Sequence, residues 1–404
     1  MYLTAMSHRH ELFDVTLRWM NDDFRPGDGE KITRIFVYES AVSAMVIERI
    51  VRFLGVLFHG PLHMQRVRSK HSLRQQIISS LPVRNVRTQE LAEGFHRNPK
   101  YFFPYLPIDA AVITDDDSRL VSIGRIKRLS RIAEKVSFRL VDALFREIQS
   151  EAKNLAAQRA QAAGVPLSDF ISSPQTMQDD FVAAEESIAA RFRDKQVRIE
   201  PEALRVNDIV GFKIIAREAL IDEIPGLLSQ ESGISVVEIE KHEGNYNAVN
   251  ILLDIDLPDP DDLAMRMKRV NWDMARQRGL DPDNIRENIS SYVNQGDRSV
   301  RVELILTTPE ELMEAEFGRS LHELRVLRLR HRQAYCGPLG QNAGYLIEYL
   351  LALAASPTVF IPEIPIKMFG RYLPEEIAAL KSNLHGFTLD DGLLGTFSLE
   401  SGSK

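Results

Sequence analysis

The chain has 404 residues, 44% of them hydrophobic, with 50 lysines and arginines against 57 aspartates and glutamates and a formal net charge of -7. That balance excludes a globally basic nucleic-acid coat and leaves local basic patches as the electrostatic handle on a polyanion. A single cysteine, Cys336, excludes an intramolecular disulfide and fits a reducing, cytoplasmic setting. At roughly 100–200 residues per domain the length suits two or three domains.

Residues 1–110 are expected to form a mainly helical region, with no secretory signal pattern at its start. The most apolar run, 41–58, is interrupted by Glu48, Arg49 and Arg52. A membrane span needs about 20 apolar residues with few charges, so the run reads as a core helix. Ser40 is its predicted cap and Gly60-Pro61 its stop. A second helix is predicted over 66–76, where Arg66, Arg68, Lys70, His71 and Arg74 form either a solvated face or a phosphate contact. Tyr101-Phe-Phe-Pro-Tyr105 reads as a packed linker rather than a base-stacking platform.

From about residue 111 the pattern changes. A strand is predicted over 120–127, then a long helix with Leu129, Ile132, Val136, Leu140, Leu144 and Ile148 at helical spacing. Gly164-Val-Pro166 ends it, and a second helix over 175–195 completes a hairpin expected to project from the sheet domain. Strands follow over 208–215 and 234–240, separated by a helix over 220–231. The next strand alternates clearly: Val249, Ile251, Leu253 and Ile255 on one face, Tyr246, Ala248 and Asn250 on the other. An acidic loop over 254–262 lacks the central glycine of a calcium site and reads as loop and helix cap. One helix is expected over 261–278 and another short one after Pro282. In the strand over 299–307 the Val300, Val302, Leu304 and Leu306 face leaves Glu303 on the other side, where a carboxylate needs solvent, a partner or a task. Residues 310–332 read as one helix or two, ending in a basic run from Arg325 to Arg332. Helices over 345–355 and 374–383 and a poorly ordered tail from Thr388 make up the last region.

No Gly-x-Ser-x-Gly elbow, Walker loop, Cys-x-x-Cys or His-Glu-x-x-His is present, and no histidine is followed by aspartate. Three stretches remain that suit a metal-bound nucleoside triphosphate. Arg125, Lys127, Arg128, Arg131 and Lys135 cluster at a strand end and a helix start, where free backbone N–H groups favour phosphate. Asp208 and Glu303 sit on separate strands, and two such carboxylates can hold Mg2+ or take a proton from an attacking hydroxyl. Taken singly, each stretch also has an ordinary reading: a solvated helix start, a strand cap, a solvent-facing glutamate.

Order and spacing resemble the synthetase domain of the RelA/SpoT family of nucleotide pyrophosphokinases, in the nucleotidyltransferase superfamily. Arg125, Lys127, Ile132 and Lys135 fit its Arg-x-Lys-x-x-x-Ser-Ile-x-x-Lys motif, with Arg131 at the serine position. Asp208-Ile-Val-Gly-Phe-Lys213 is similar to its Asp-Leu-x-Gly-x-Arg strand, with lysine for arginine. Asn245-Tyr246-Asn-Ala-Val-Asn250 keeps the tyrosine of Gly-Tyr-Arg-Ser-Leu-His and little else. Glu303-Leu-Ile-Leu-Thr-Thr308 keeps the glutamate and last threonine of Glu-Ile-Gln-Ile-Arg-Thr, and Ala315-Glu-Phe-Gly318 resembles the start of the family's next helix.

The resemblance covers about 120–320. It implies an α+β, nucleotidyltransferase-like mixed β-sheet flanked by helices, with an inserted helical hairpin at about 136–200. The implied domain spans 111–330, between helical regions at 1–110 and 331–404. It implies transfer of pyrophosphate from ATP to the 3′-hydroxyl of GDP, GTP or a related nucleotide. Arg125, Lys127, Arg131 and Lys135 would bind ATP, and Tyr246, Asn250 and Lys213 the acceptor. Asp208 and Glu303 would hold Mg2+, with Glu303 also the base. Loss of the acceptor motif's Arg and His leaves another nucleotide or an RNA 3′ end open as acceptor, and self-association stays open; no membrane partner is expected. The eroded motifs equally fit a nucleotide-binding or interaction protein without catalysis.

Overall fold

The computed structural model describes residues 8–81, 85–170, 173–330 and 337–386. Cys336, the end of the basic run at Arg332 and the tail from Thr388 lie outside them. Seven strands form one mixed sheet: β1 (His63–Ser69), β2 (Pro107–Thr114), β3 (Leu120–Ile126), β4 (Val210–Ile215), β5 (Ile234–His242), β6 (Ala248–Asp256) and β7 (Ser299–Thr307), in the order β1-β2-β3-β4-β7-β6-β5. Neighbours are antiparallel except β4 and β7, which pair in parallel with Val210 opposite Val302 and Gly211 opposite Glu303. A parallel pair needs a long crossover. Here it carries α7 (Glu218–Gln230), β5, β6, α8 (Pro260–Lys268), α9 (Asp273–Gln277) and α10 (Pro282–Gln295).

The sheet separates two cores. Val300, Val302, Leu304 and Leu306 of β7 and Val210, Phe212 and Ile214 of β4 face the larger one. Helices α2 (Asp28–Leu57), α5 (Leu129–Ala162) and α13 (Pro338–Ala355) also fill it. On the opposite face a smaller core joins Ile123 and Ile215 to α3 (Lys70–Ser80), α4 (Val86–Arg97) and α11 (Pro309–Phe317), with Phe95, Phe102 and Phe317 edge to face at its centre. The remaining helices are α1 (Arg9–Met20), α6 (Pro174–Arg193), α12 (His322–Arg330) and α14 (Pro374–Asn383). No helix among the described residues is long and apolar enough to cross a membrane.

The alternation predicted for β7 is present in full and that of β6 from Ile251 to Ile255, while Tyr246 precedes β6 and Ala248 is buried; 310–330 resolves into α11 and α12. Several local expectations differ. Ser40 caps nothing: α2 starts after Gly27, which adopts φ 89°, because Ile32, Ile35, Phe36 and Val37 already carry the buried stripe, and the Ser40 hydroxyl donates back to the Val37 carbonyl at 2.7 Å. The helix expected over 66–76 is strand up to Ser69. That residue then caps α3, its hydroxyl accepting from the Ser72 amide at 3.1 Å. The single helix expected over 261–278 is two, α8 and α9, with Trp272 buried between them. The hairpin of α5 and α6 is packed at its root, while its tip, 161–169, is exposed. Leu140, Leu144 and Ile148 need an apolar partner, and α13, hydrophobic nearly all round, packs against α5 to supply it. In the aromatic stretch, Phe102 is packed as expected of a linker, whereas Tyr101 and Tyr105 are exposed.

The basic cluster of 66–76 is solvated only in part: Arg66 and Arg68 are exposed, whereas Lys70 and Arg74 are buried. Arg74 is 0% exposed. Its guanidinium donates to Glu323 at 2.9 Å, to the Glu316 carbonyl at 2.9 Å and to the Phe102 carbonyl. Lys70 lies 2.9 Å from Glu316 and 3.0 Å from Glu323. Two cations and two carboxylates thus pin α3 to α11 and α12. Removing one cation strands buried negative charge. Arg74→Ala is expected to destabilise the fold by about 3–5 kcal/mol in urea unfolding, with Arg74→Lys milder.

Candidate functional site

The site begins where β3 passes into α5. The Lys127 amide donates to the Ile209 carbonyl at 2.8 Å, which fixes the Asp208 segment against the start of α5. Arg128 occupies the N-cap of α5 without a side-chain cap, so this helix start keeps amide donors for an anion. Lys127 and Lys135 both meet the same oxygen of Asp208, Oδ2, the former at 2.5 Å, and Lys127 also donates to the Asp208 carbonyl.

Further along the sheet, Arg125 stands opposite Gly211, and Gly211 opposite Glu303. A side chain at 211 would place its Cβ 3.4 Å from Arg125 Nε and 3.7 Å from Glu303 Oε2. These are ordinary contact distances, and the Arg125 guanidinium passes over Gly211 to reach Glu303 Oε2 at 3.2 Å. Lys213, opposite Ile305, lies 3.9 Å from Glu316.

A cleft of about 520 Å³ opens over this face. Of the predicted residues, Arg125, Lys127, Arg131, Lys135, Asp208 and Lys213 line it, Arg131 while paired with Glu134. Helix α12 walls it through His322, Val326 and Leu327. Glu303, Tyr246 and Asn250 are not in its lining. Glu303 lies behind Arg125. Tyr246 precedes β6, and the Arg325 guanidinium covers its ring at 4.1 Å. Asn250 faces Ile305 across the β6–β7 pair, and its buried Oδ1 has no hydrogen-bond partner. The donor-side residues thus line one cleft together with Lys213 of the acceptor set, whereas Tyr246, under Arg325 of α12, and Asn250 stand outside its lining. His322 was missed in sequence, and Lys70 and Arg325 were read only as members of basic runs, Lys70 with a phosphate contact as one alternative. Only the stretch beginning at Ala315 hinted that the following helix belongs to the site.

Electrostatics follow from crowding cations into a half-closed space. Burial pushes the Asp208 carboxyl up, but the Lys127 and Lys135 ammoniums outweigh it and hold it well below the carboxylate range. Burial, then the Arg125 charge, lowers Lys127 to about 7 against the pull of Asp208. Burial lowers Lys213 to about 8, opposed by Glu316 and assisted by Lys70 and Arg125. Glu316 is held low because Lys70, Lys213 and Arg74 overcome its burial. Burial raises the Tyr246 phenol, with Arg325 opposing.

Asp208 and Glu303 are the carboxylates that could hold a cation here. Two carboxylates stand at or beside the cleft, and their ion pairs fall on Asp208 Oδ2 and Glu303 Oε2, leaving Oδ1 and Oε1 outside those pairs. Among the described residues no cluster of three metal-ligating side chains exists. Magnesium is commonly held by one or two carboxylates, with substrate phosphates and water completing its shell.

Among solved structures, the small alarmone synthetase 1 from Bacillus subtilis aligns with 41% of this chain and 68% of its own, at 16% identity and a TM-score of 0.20. That overlap is too slight to bear on the chemistry, which rests on the geometry above. No family model and no curated protein matches the chain.

A bound polyphosphate stabilises charged lysine, so it raises the Lys127 and Lys213 values and binding takes up protons. Affinity is then lost as pH rises through the free-site values of about 7 and about 8. Calorimetry is expected to show net proton uptake on ATP binding and roughly tenfold weaker affinity at pH 9.5 than at pH 7.5.

Proposed function

We propose that the cleft binds ATP and that the protein is a magnesium-dependent pyrophosphokinase acting on the 3′-hydroxyl of GDP, GTP or a related acceptor. The observation that carries this reading is convergence. Arg125, Lys127, Lys135, Asp208 and Glu303 come from three distant stretches, and direct ion pairs join Arg125 to Glu303 and Lys127 and Lys135 to Asp208. A polyanion entering the cleft offers Lys127 and Lys135 phosphate oxygens in place of Asp208. Arg125 and Arg131 extend the same cationic wall, and Lys213 continues it toward the acceptor side. Magnesium, held by Asp208 and Glu303, would supply charge neutralisation at the phosphates. Tyr246 and Asn250 would then serve the acceptor, a flat ring on the former and a polar group at the orphan Oδ1 of the latter.

A second reading is nucleotide binding without turnover. The observation favouring it is that the Tyr246 ring is already covered by Arg325, where an acceptor base would stack. ATP labelled at the terminal phosphate, incubated with magnesium and GDP, GTP, adenine nucleotides or tRNA, separates the two. The expected result is label on one acceptor, reduced at least about 100-fold in Asp208→Ala and Glu303→Ala. ATP binding with no transfer to any acceptor would leave the binding reading. Transfer that survives both substitutions would remove the assignment of the two acids.

A further inference from the structure

His322 opens α12 and lines the cleft, yet none of the motifs assigns it a role. Lys70 from α3, Arg125 from β3 and Lys213 from β4 face it with positive charge, and Glu316 from α11 with negative charge. Neither ring nitrogen has a hydrogen-bond partner among the described residues. Its neighbour Glu323 is fixed by Arg74 at 2.9 Å and Lys70 at 3.0 Å, so the first turn of α12 is held in place from beneath. Three residues on, about 4.5 Å along the axis and on the same side of the helix, Arg325 lies over Tyr246. His322 therefore stands between the aromatic end of the site and its phosphate-binding cations.

We propose that His322 receives the hydrogen bond, and on transfer the proton, of the acceptor hydroxyl, and that polyphosphate bound in the same cleft is what makes it able to do so. The inference rests on the pyrophosphokinase reading of the cleft. In the step, the acceptor oxygen bonds to the β-phosphorus of ATP as its proton passes to a ring nitrogen of His322. The bond from that phosphorus to the α–β bridging oxygen breaks, and AMP leaves with the electron pair. Glu303, tied to Arg125, is then left to the metal.

The electrostatics supply the trigger. With the cleft empty, burial and the charges of Lys70 and Arg125 lower the imidazole to about 2, which makes it a poor base. Bound polyphosphate offsets those cations and adds negative charge of its own beside the ring, which raises the imidazole, against the burial that persists, toward the range where a general base works at neutral pH. The proton acceptor is thereby armed only when the donor is present.

Histidine-labelled full-length protein, with the His322 resonance identified by its absence in His322→Gln, tests this by NMR titration. Without ligand the resonance is expected not to titrate between pH 5 and 8. With saturating α,β-methylene-ATP and magnesium it is expected to titrate within that window. In turnover, His322→Gln is expected to lower kcat about 100-fold or more, with little change in the KM for ATP. A ligand that binds while His322 stays silent to pH overturns this inference and leaves the pyrophosphokinase reading standing. A ligand that does not bind at all overturns both.

Discussion

The Asp208 carboxylate under Lys127 and Lys135 is the interaction on which the site depends. It draws the start of α5 onto the leading end of β4, and it stores two cations beside a helix start where phosphate would be bound. An ion pair this buried adds little net stability, because desolvation consumes most of the Coulomb gain. Its value is positional. The lysines are held ready, and a polyanion can take them over without any rearrangement of the backbone. Within β4, Arg125 passes over Gly211 to reach Glu303.

The centre of the sheet was legible in the sequence because its code is local. The residues at 300, 302, 304 and 306 declare one face of β7, and that alternation isolates Glu303 on the other. The spacing of Arg125, Lys127 and Lys135 places them at the β3–α5 turn, and the Asp208 to Gly211 step sets an acid before a strand and a glycine within it. What was not legible depends on partners far along the chain. Arg74 looks like a surface arginine until Glu316 and Glu323 arrive some 240 residues later. Arg66 and Arg68 read as helix because nothing local says that β2 will pair with them. The stripe on α5 signals that something must cover it, but not that α13 does.

The acceptor end was the least readable region for the same reason. Its geometry is made by α12, a helix whose sequence is mainly charge and gives no periodic signal of what it covers. Anchored by Glu323 to the buried cations of α3, this helix presents His322 to the cleft and Arg325 to the Tyr246 ring. The buried ion cluster, which looks purely structural, thus determines where two cleft-side groups stand. Stability and chemistry share one scaffold here, and a change at Arg74 reaches both.

On the proposed function, Asp208 and phosphate compete for the same two lysines, with metal resolving the competition. Calorimetric titration of α,β-methylene-ATP into the wild type and Asp208→Ala, each with and without magnesium, tests it most directly. The wild type should bind the nucleotide more tightly with magnesium. Asp208→Ala should bind the metal-free nucleotide more tightly than the wild type does, because its lysines are released, and should gain little from magnesium. A variant that binds metal-free nucleotide more weakly than the wild type, or that keeps the full benefit of magnesium, would contradict the exchange.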